Sequence, residues 1–149
     1  MLLAPHILTG AVIITKVQNP ILGLILAFLS HYLLDLFPQK EYSINNIKER
    51  NWKSSLPDFL KVFSDIFLGI IIIFLVADYG YLILIAAFLS ILPDGFSLLY
   101  FIFPKNRLLE KHWKLHTAIN LILNKKISPS WGILSQIAVV VTAIIFLLL

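Results

Sequence analysis

Five long apolar stretches separated by shorter polar ones make up most of the chain. Gln18-Asn19-Pro20 divides the first two, and polar residues followed by a proline indicate a turn that leads into a helix. The pattern therefore predicts a helical hairpin at the beginning and three further apolar helices. The stretches cover residues 2–17, 20–37, 57–77, 81–103 and 131–149.

The segments between these stretches differ in character. Residues 41–55 are the most polar part of the chain and predict the main loop, whereas Asp78-Tyr79-Gly80 predicts a tight turn after the third helix. Pro93-Asp94-Gly95 lies inside the fourth stretch and predicts a kink or break that lines a cavity. Residues 105–126 mix basic and apolar side chains and predict an amphipathic helix at a membrane interface.

Composition favours a membrane protein. Of the 149 residues, 59% are hydrophobic and 13% are charged, which is too apolar for an ordinary soluble domain of this length. We expect one integral membrane domain over residues 1–149, with the first apolar stretch retained because no basic segment precedes it. The absence of cysteine excludes disulfides and thiolate metal sites.

The basic residues predict an orientation. If all five stretches cross the bilayer, every one of the 12 Lys and Arg residues except Lys16 lies on one side, together with the N-terminus. The positive-inside rule makes that side cytoplasmic, in the inner membrane. The predicted fold is thus an all-α polytopic bundle of about four to five transmembrane helices plus the interfacial helix. The first stretch is short, so a re-entrant or tilted helix is an alternative to a full span.

The net charge of +4 does not indicate a nucleic-acid partner. The basic residues flank apolar stretches and do not form a basic surface interleaved with aromatic residues. Membrane lipids are the predicted partners of this charge. No sequence feature indicates an oligomeric state.

Seven ionisable side chains occupy positions where apolar ones would insert more favourably. A charged group inside a bilayer costs about 2.5–3.5 kcal/mol on insertion scales and therefore suggests a functional site. His31 and Asp35 are four residues apart, as are His112 and His116, so each pair presents two ligands on one helix face. The predicted metal ligands are His6, His31, Asp35, Asp94, His112 and His116, with Asp65 as a further ligand or the catalytic base.

Each of these residues also has a structural interpretation. A helical His and Asp four residues apart can form a local hydrogen bond, and Asp often stabilises a turn after proline. The alternatives are a backbone-bonded interfacial residue for His6, a local bond for His31 and Asp35, a cationic lipid-facing surface for His112 and His116, a turn for Asp94, and an ion pair with Lys61 for Asp65. Four other acidic residues lie among loop charges and are expected in solvent, namely Glu41, Glu49, Asp58 and Glu110.

Four segments, PHILTG at 5–10, SHYLLD at 30–35, LPDG at 92–95 and HWKLH at 112–116, resemble scattered motifs of the YdjM-like inner-membrane predicted metal-dependent hydrolases. The resemblance covers most of the chain. It implies that His6 and Gly10 form an HxxxG motif, that Asp94 is the LPD aspartate, and that His112 and His116 form a His-rich segment. Gly95-Phe96 replaces the further acidic residue and His of that family, and the Arg-Gly after the first His is absent.

The sequence therefore predicts a membrane-embedded metal-dependent hydrolase acting on a phosphoester or phospholipid headgroup at the cytoplasmic leaflet. The pair His31 and Asp35 is similar to the helical His and carboxylate pairs of zinc-dependent phospholipase C. Nitrogen and oxygen ligands favour zinc or manganese, as one or two ions, and such an ion lowers the pKa of a bound water. The alternative is a non-enzymatic protein, either a metal-binding or transport bundle or a structural partner.

Overall fold

The computed structural model describes residues 2–77, 80–124 and 128–149. All regular secondary structure in these ranges is helical, which confirms the predicted all-α class. Residues 52–54 form one turn of 3-10 helix between α3 and α4. The α-helices are α1 Leu3–Lys16, α2 Pro20–Leu34, α3 Asn45–Lys48, α4 Leu56–Val76, α5 Tyr81–Ile102, α6 Arg107–Asn124 and α7 Pro129–Leu148.

Three of the helices are long and apolar enough to cross a membrane. They are α4, α5 and α7, with 21, 22 and 20 residues, and a transmembrane helix needs about 20. Their outward faces expose large apolar side chains, which a bilayer covers and water does not. These side chains include Phe63, Phe67, Leu75, Ile133 and Val141.

The first two apolar helices are shorter than a membrane span. With 14 residues, α1 is about 21 Å long, whereas the hydrocarbon core is about 30 Å thick. This helix occupies the centre of the bundle, in contact with α2, α4, α5 and α7. Because it has neighbours on nearly every side, most of its residues are buried. They include Leu3, Ala4, His6, Ile7, Leu8, Ala11 and Ile14.

Gly10 allows α1 to approach α5 closely. A Cβ atom at this position would lie 2.7 Å from the carbonyl oxygen of Ala86 and 2.8 Å from Cβ of Ser90. Any side chain here would therefore push the two helices apart. The glycine thus holds His6, one turn earlier on α1, close to the middle of α5.

The prediction at Pro93-Asp94-Gly95 was a kink or break that lines a cavity. The helix α5 continues through Pro93 without a break, whereas Asp94 and Gly95 do line a cavity, as predicted. Proline removes one backbone donor and displaces the carbonyls of the preceding turn. Polar side chains bond to backbone carbonyls in this part of the helix. The Ser90 carbonyl lies 2.7 Å from Nδ1 of His31, and the hydroxyl of Ser97 donates to the Pro93 carbonyl. The predicted turn at Asp78-Tyr79-Gly80 involves residues 78 and 79, which lie outside the described ranges.

Asp58 differs from its sequence prediction, because it is buried and does not lie in solvent. Its carboxylate accepts hydrogen bonds from the amides of Asn46 and Ile47, at 2.9 and 3.3 Å. Lys61 lies 3.3 Å away and pairs with Asp58, so the predicted alternative pairing with Asp65 is wrong. Asp58 therefore anchors the short helix α3 over the beginning of α4.

Candidate metal centre

Three side chains from the end of α2 and the middle of α6 meet in the protein interior. His31, in the last turn of α2, and Asp35, which follows α2, are joined by His116 of α6. His116 Nε2 lies 2.8 Å from Asp35 Oδ2 and 2.9 Å from His31 Nε2, and the third side of this triangle is 3.4 Å. All three residues are buried. This trio is a group that could hold a metal ion.

The opposite nitrogens of both histidine rings contact α5. His31 Nδ1 lies 2.7 Å from the Ser90 carbonyl, which can only accept, so Nδ1 carries the proton. His116 Nδ1 lies 3.1 Å from the Ser97 hydroxyl. Since that hydroxyl donates to the Pro93 carbonyl, it accepts from His116. Bonds of this kind fix the tautomer of metal-binding histidines.

These tautomers leave an electron pair on each Nε2 atom. Two nitrogen electron pairs and a carboxylate oxygen then face one another without a donor among them, an arrangement that needs a cation or shared protons. A tetrahedral ion with ligand bonds of about 2.0–2.1 Å keeps its ligand atoms about 3.3 Å apart. The separation of 3.4 Å between His31 and Asp35 fits this spacing, whereas those of 2.8 and 2.9 Å from His116 are shorter, so His116 would move outward by roughly 0.5 Å to bind such an ion. The trio also matches the three protein ligands of a catalytic zinc site, which leaves the fourth position for water.

Asp94 lies beside the trio. Its Oδ1 is 3.6 Å from His116 Nε2 and 3.8 Å from His31 Nε2. Its side chain is 32% exposed, compared with 1% for Asp35. Asp94, His6 and His31 form a second group that could hold a metal ion, so five of the seven predicted residues converge at one place.

His6 is fully buried and has no hydrogen-bond partner for either ring nitrogen among the described residues. Its ring stacks on that of His31 with centroids 4.1 Å apart, and Nε2 lies 3.4 Å from Oδ1 of Asp35. An unpaired buried polar group is costly, which favours a ligand at this position. The predicted alternative, an interfacial histidine bonded to backbone, does not describe this environment.

His112 lies next to the centre but outside both groups. Its Nε2 is 3.0 Å from the hydroxyl of Tyr32, and its ring stacks at 5.8 Å on that of His116. Burial lowers the pKa of His112. His112 thus contacts a ligand candidate through its ring, and its predicted role as a metal ligand stays a prediction.

Asp65 also lies outside both groups. Its two carboxylate oxygens accept hydrogen bonds from the amides of Leu3 and Ala4, at 2.6 and 3.2 Å. These amides belong to the first turn of α1, where an acceptor satisfies free backbone donors and complements the helix dipole. The geometry supports a structural role for Asp65, and its role as a base or ligand stays a prediction.

Substitution of Asp65 separates these roles. We expect Asp65→Asn to keep the metal content and activity of the wild type, because the amide oxygen still accepts one of the α1 bonds. Asp65→Ala should lower the free energy of unfolding by about 1–2 kcal/mol, the usual effect of removing a helix cap. Detergent unfolding curves and metal analysis measure the two quantities. A large loss of activity in Asp65→Asn, with metal and stability intact, would instead identify Asp65 as a base.

A cavity of about 740 Å³ adjoins the centre. Asp94 and His116 reach its wall, most of the remaining lining is apolar, and the largest share of it comes from α4 and α5. A solute in the cavity therefore contacts the exposed side of the His and Asp cluster. His31 and Asp35 lie behind this wall and are buried.

Several residues of the site were not predicted from the sequence. Ser90 and Ser97 orient the two histidines, and their position in an otherwise apolar helix on either side of Pro93 could have indicated this. Tyr42 lines the cavity, and burial, together with the charges of Asp65 and Asp94, raises its pKa. No sequence signal marks Tyr42, because a loop tyrosine is equally common at a membrane interface.

Comparison with protein-family models, curated proteins and solved structures finds no match for this chain. The resemblance to the YdjM-like hydrolases therefore stays a prediction that depends on the four short segments alone. Any function has to be argued from the geometry of the site.

Proposed function

We propose that this protein is a membrane-embedded metal-dependent hydrolase that acts on phosphoesters. The observation that supports this most directly is the convergence of His31, Asp35 and His116 beside a cavity in a bundle with membrane-spanning helices. Buried imidazole and carboxylate groups that lack a donor among them suit a divalent ion. Zinc or manganese is the proposed ion, because both accept nitrogen and oxygen ligands.

In this proposal each residue has a distinct task. A bound ion supplies a water of lowered pKa and an electrophile for the phosphoryl oxygen. His31, Asp35 and His116 would hold the ion, while Asp94 at the cavity wall would take the proton of the attacking water. The water oxygen forms a bond to phosphorus, the ester P–O bond breaks, and Asp94 returns the proton to the leaving oxygen. His6, whose Nε2 lies 3.4 Å from the second oxygen of Asp35, would be a further ligand of the ion.

We further propose that the centre faces the cytoplasmic side of the inner membrane. The helices α4, α5 and α7 would span, and α1 with α2 would form a hairpin that enters and leaves from the same side, as their shorter lengths suggest. Basic residues of α6 and of the loop before α4 would then lie at the cytoplasmic leaflet, where anionic lipids are found. They include Lys48, Lys53, Lys105, Arg107, Lys111 and Lys114.

Chelation tests the proposed activity. Detergent-purified protein is stripped of metal with a chelator, reloaded with zinc or manganese, and assayed with a phosphomonoester, a phosphodiester and phosphatidylglycerol. We expect hydrolysis to fall to background on stripping and to return with one of the two ions. An ion that binds without producing hydrolysis of any of the three would contradict the enzyme and favour a metal-binding bundle.

A further inference from the structure

The cavity lies between two consecutive membrane helices. Both α4 and α5 pack on α1, and α4 also contacts α7, α3 and the 3-10 turn at residues 52–54. Side chains of α4 and α5 line the space between them. Its volume of about 740 Å³ falls within the range of about 300–1,000 Å³ that is usual for small-molecule sites. The apolar walls are Phe59, Val62 and Ile66 of α4 and Phe88, Ile91, Leu92, Leu98, Leu99 and Phe101 of α5.

The lining combines apolar and polar side chains. The apolar ones come mainly from α4 and α5, and neighbouring elements add Leu3, Ile44, Ile47 and Trp113. Apart from Asp94 and Ser97 of α5, the polar ones come from the loop after α2, from α3 and from α6, and they include Gln39, Glu41, Tyr42, Lys48, Thr117 and Asn120. The metal centre borders the cavity through Asp94 and His116. A bound molecule would therefore meet apolar walls, an ion-binding cluster and a group of polar side chains.

This arrangement fits an amphiphile and not a fully polar solute. Water is a poor occupant of the apolar part, because a buried water needs two to four polar partners. Acyl chains of the bilayer surround α4 and α5, whose outer faces are apolar. Among the polar lining residues, Lys48 offers a positive charge for a phosphate group.

We propose that the cavity binds a phosphate-headed lipid, with one acyl chain between α4 and α5 and the phosphate beside Asp94 and His116. The lipid would be the substrate of the metal centre, and this part of the proposal rests on the proposed function. Binding of the chain itself depends on the apolar walls alone. It therefore predicts lipid affinity whether or not the centre hydrolyses anything.

Filling the cavity tests the proposal. The double variant Val62→Phe/Ile66→Phe places two rings in the cavity, whereas Leu68→Phe adds a ring on the outer face of α4, where Leu68 is 53% exposed. The probe is palmitoyl-oleoyl phosphatidylglycerol, counted by native mass spectrometry of detergent-purified protein. We expect one retained lipid per chain in the wild type and in Leu68→Phe, and at least a tenfold weaker affinity in the double variant. Equal retention in the double variant overturns the proposal.

Trp113, which lines the cavity, provides a measurement on the unaltered cavity. In the Trp52→Phe/Trp131→Phe background it is the one remaining tryptophan, since the chain has 3. We expect a phosphatidylglycerol with brominated acyl chains to quench its fluorescence at one lipid per protein, and glycerol phosphate not to compete. If quenching follows only the bulk lipid concentration, or glycerol phosphate displaces the lipid, the acyl-chain site is wrong. This result decides the question if the double variant fails to fold.

The experiments distinguish a failure of the proposed lipid site from a failure of the proposed hydrolase activity. We expect His31→Ala to lose its metal and still bind the brominated lipid, because His31 is not part of the cavity lining. Saturable lipid binding without hydrolysis in metal-loaded wild type would overturn the hydrolase and keep the lipid site. Hydrolysis of soluble phosphoesters without saturable lipid binding would overturn the lipid site and keep the hydrolase.

Discussion

Replacement of His31 or His116 by Ala is expected to abolish metal binding by this protein. Each variant removes one of the three atoms that converge within 3.4 Å. Loss of a residue that only orients a ligand already costs about 10–100-fold in metal affinity, so loss of a ligand should exceed 100-fold. Elemental mass spectrometry after dialysis against buffered zinc or manganese measures the metal content per chain.

His112→Ala is the matched control for these variants. It removes a histidine of the same helix as His116, but its Nε2 contacts Tyr32 and lies outside both candidate groups. We expect it to keep most of its metal. Full metal content in His31→Ala would contradict the proposed centre, and loss of metal in His112→Ala would show that His112 is a ligand after all. Circular dichroism confirms that each variant is helical.

Asp94→Asn is expected to retain its metal and to lose about 10²–10⁴-fold in hydrolysis, the usual contribution of a general base. The amide has nearly the shape of the carboxylate but does not accept a proton from water. Because His31, Asp35 and His116 are unchanged, the ion-binding trio stays complete. The measurements are the turnover of a phosphodiester and the metal content of the same sample.

Glu110→Gln provides the comparison for Asp94→Asn. Glu110 is a partly exposed residue of α6 that pairs with the exposed Lys114 at 2.6 Å, and such surface pairs contribute little to stability. We expect its activity and metal content to match the wild type. If Asp94→Asn loses its metal together with its activity, Asp94 is a fourth ligand. Unchanged turnover would remove Asp94 from the mechanism.

The sequence predicted much of the fold because its signals are local. Apolar length identified α4, α5 and α7, and Asn19 marked a turn in which its side chain accepts from the amide of Leu22. The central position of α1 could not be predicted, because it depends on contacts such as that of Gly10 with α5. Apolar length alone predicted about four to five spans, with a re-entrant first helix as the alternative, whereas three helices are long enough to span and α1 and α2 are shorter.

The sequence could predict those parts of the site in which helical spacing determines which side chains share a face. His31 and Asp35 face the same side of α2, as their spacing implies. The same spacing places His112 and His116 on a common face of α6. However, Nε2 of His112 contacts the hydroxyl of Tyr32, whereas Nε2 of His116 contacts the carboxylate of Asp35. Asp65 bonds to amides 61 and 62 residues away. No local pattern reports such a contact, so its position at the beginning of α1 could not be foreseen.

The central position of α1 has a consequence for the order in which the protein matures. A ribosome makes α1 before α4, α5 and α7, yet these later helices provide most of the surface that buries it. The amide of Leu2 donates to Gln136, which is 134 residues further along the chain. The helix α1 is therefore made first but becomes fully buried only after α7 has been inserted. Until then, His6 is not fully covered by protein. Truncated chains released before α7 should consequently be inserted in the membrane but unable to retain metal.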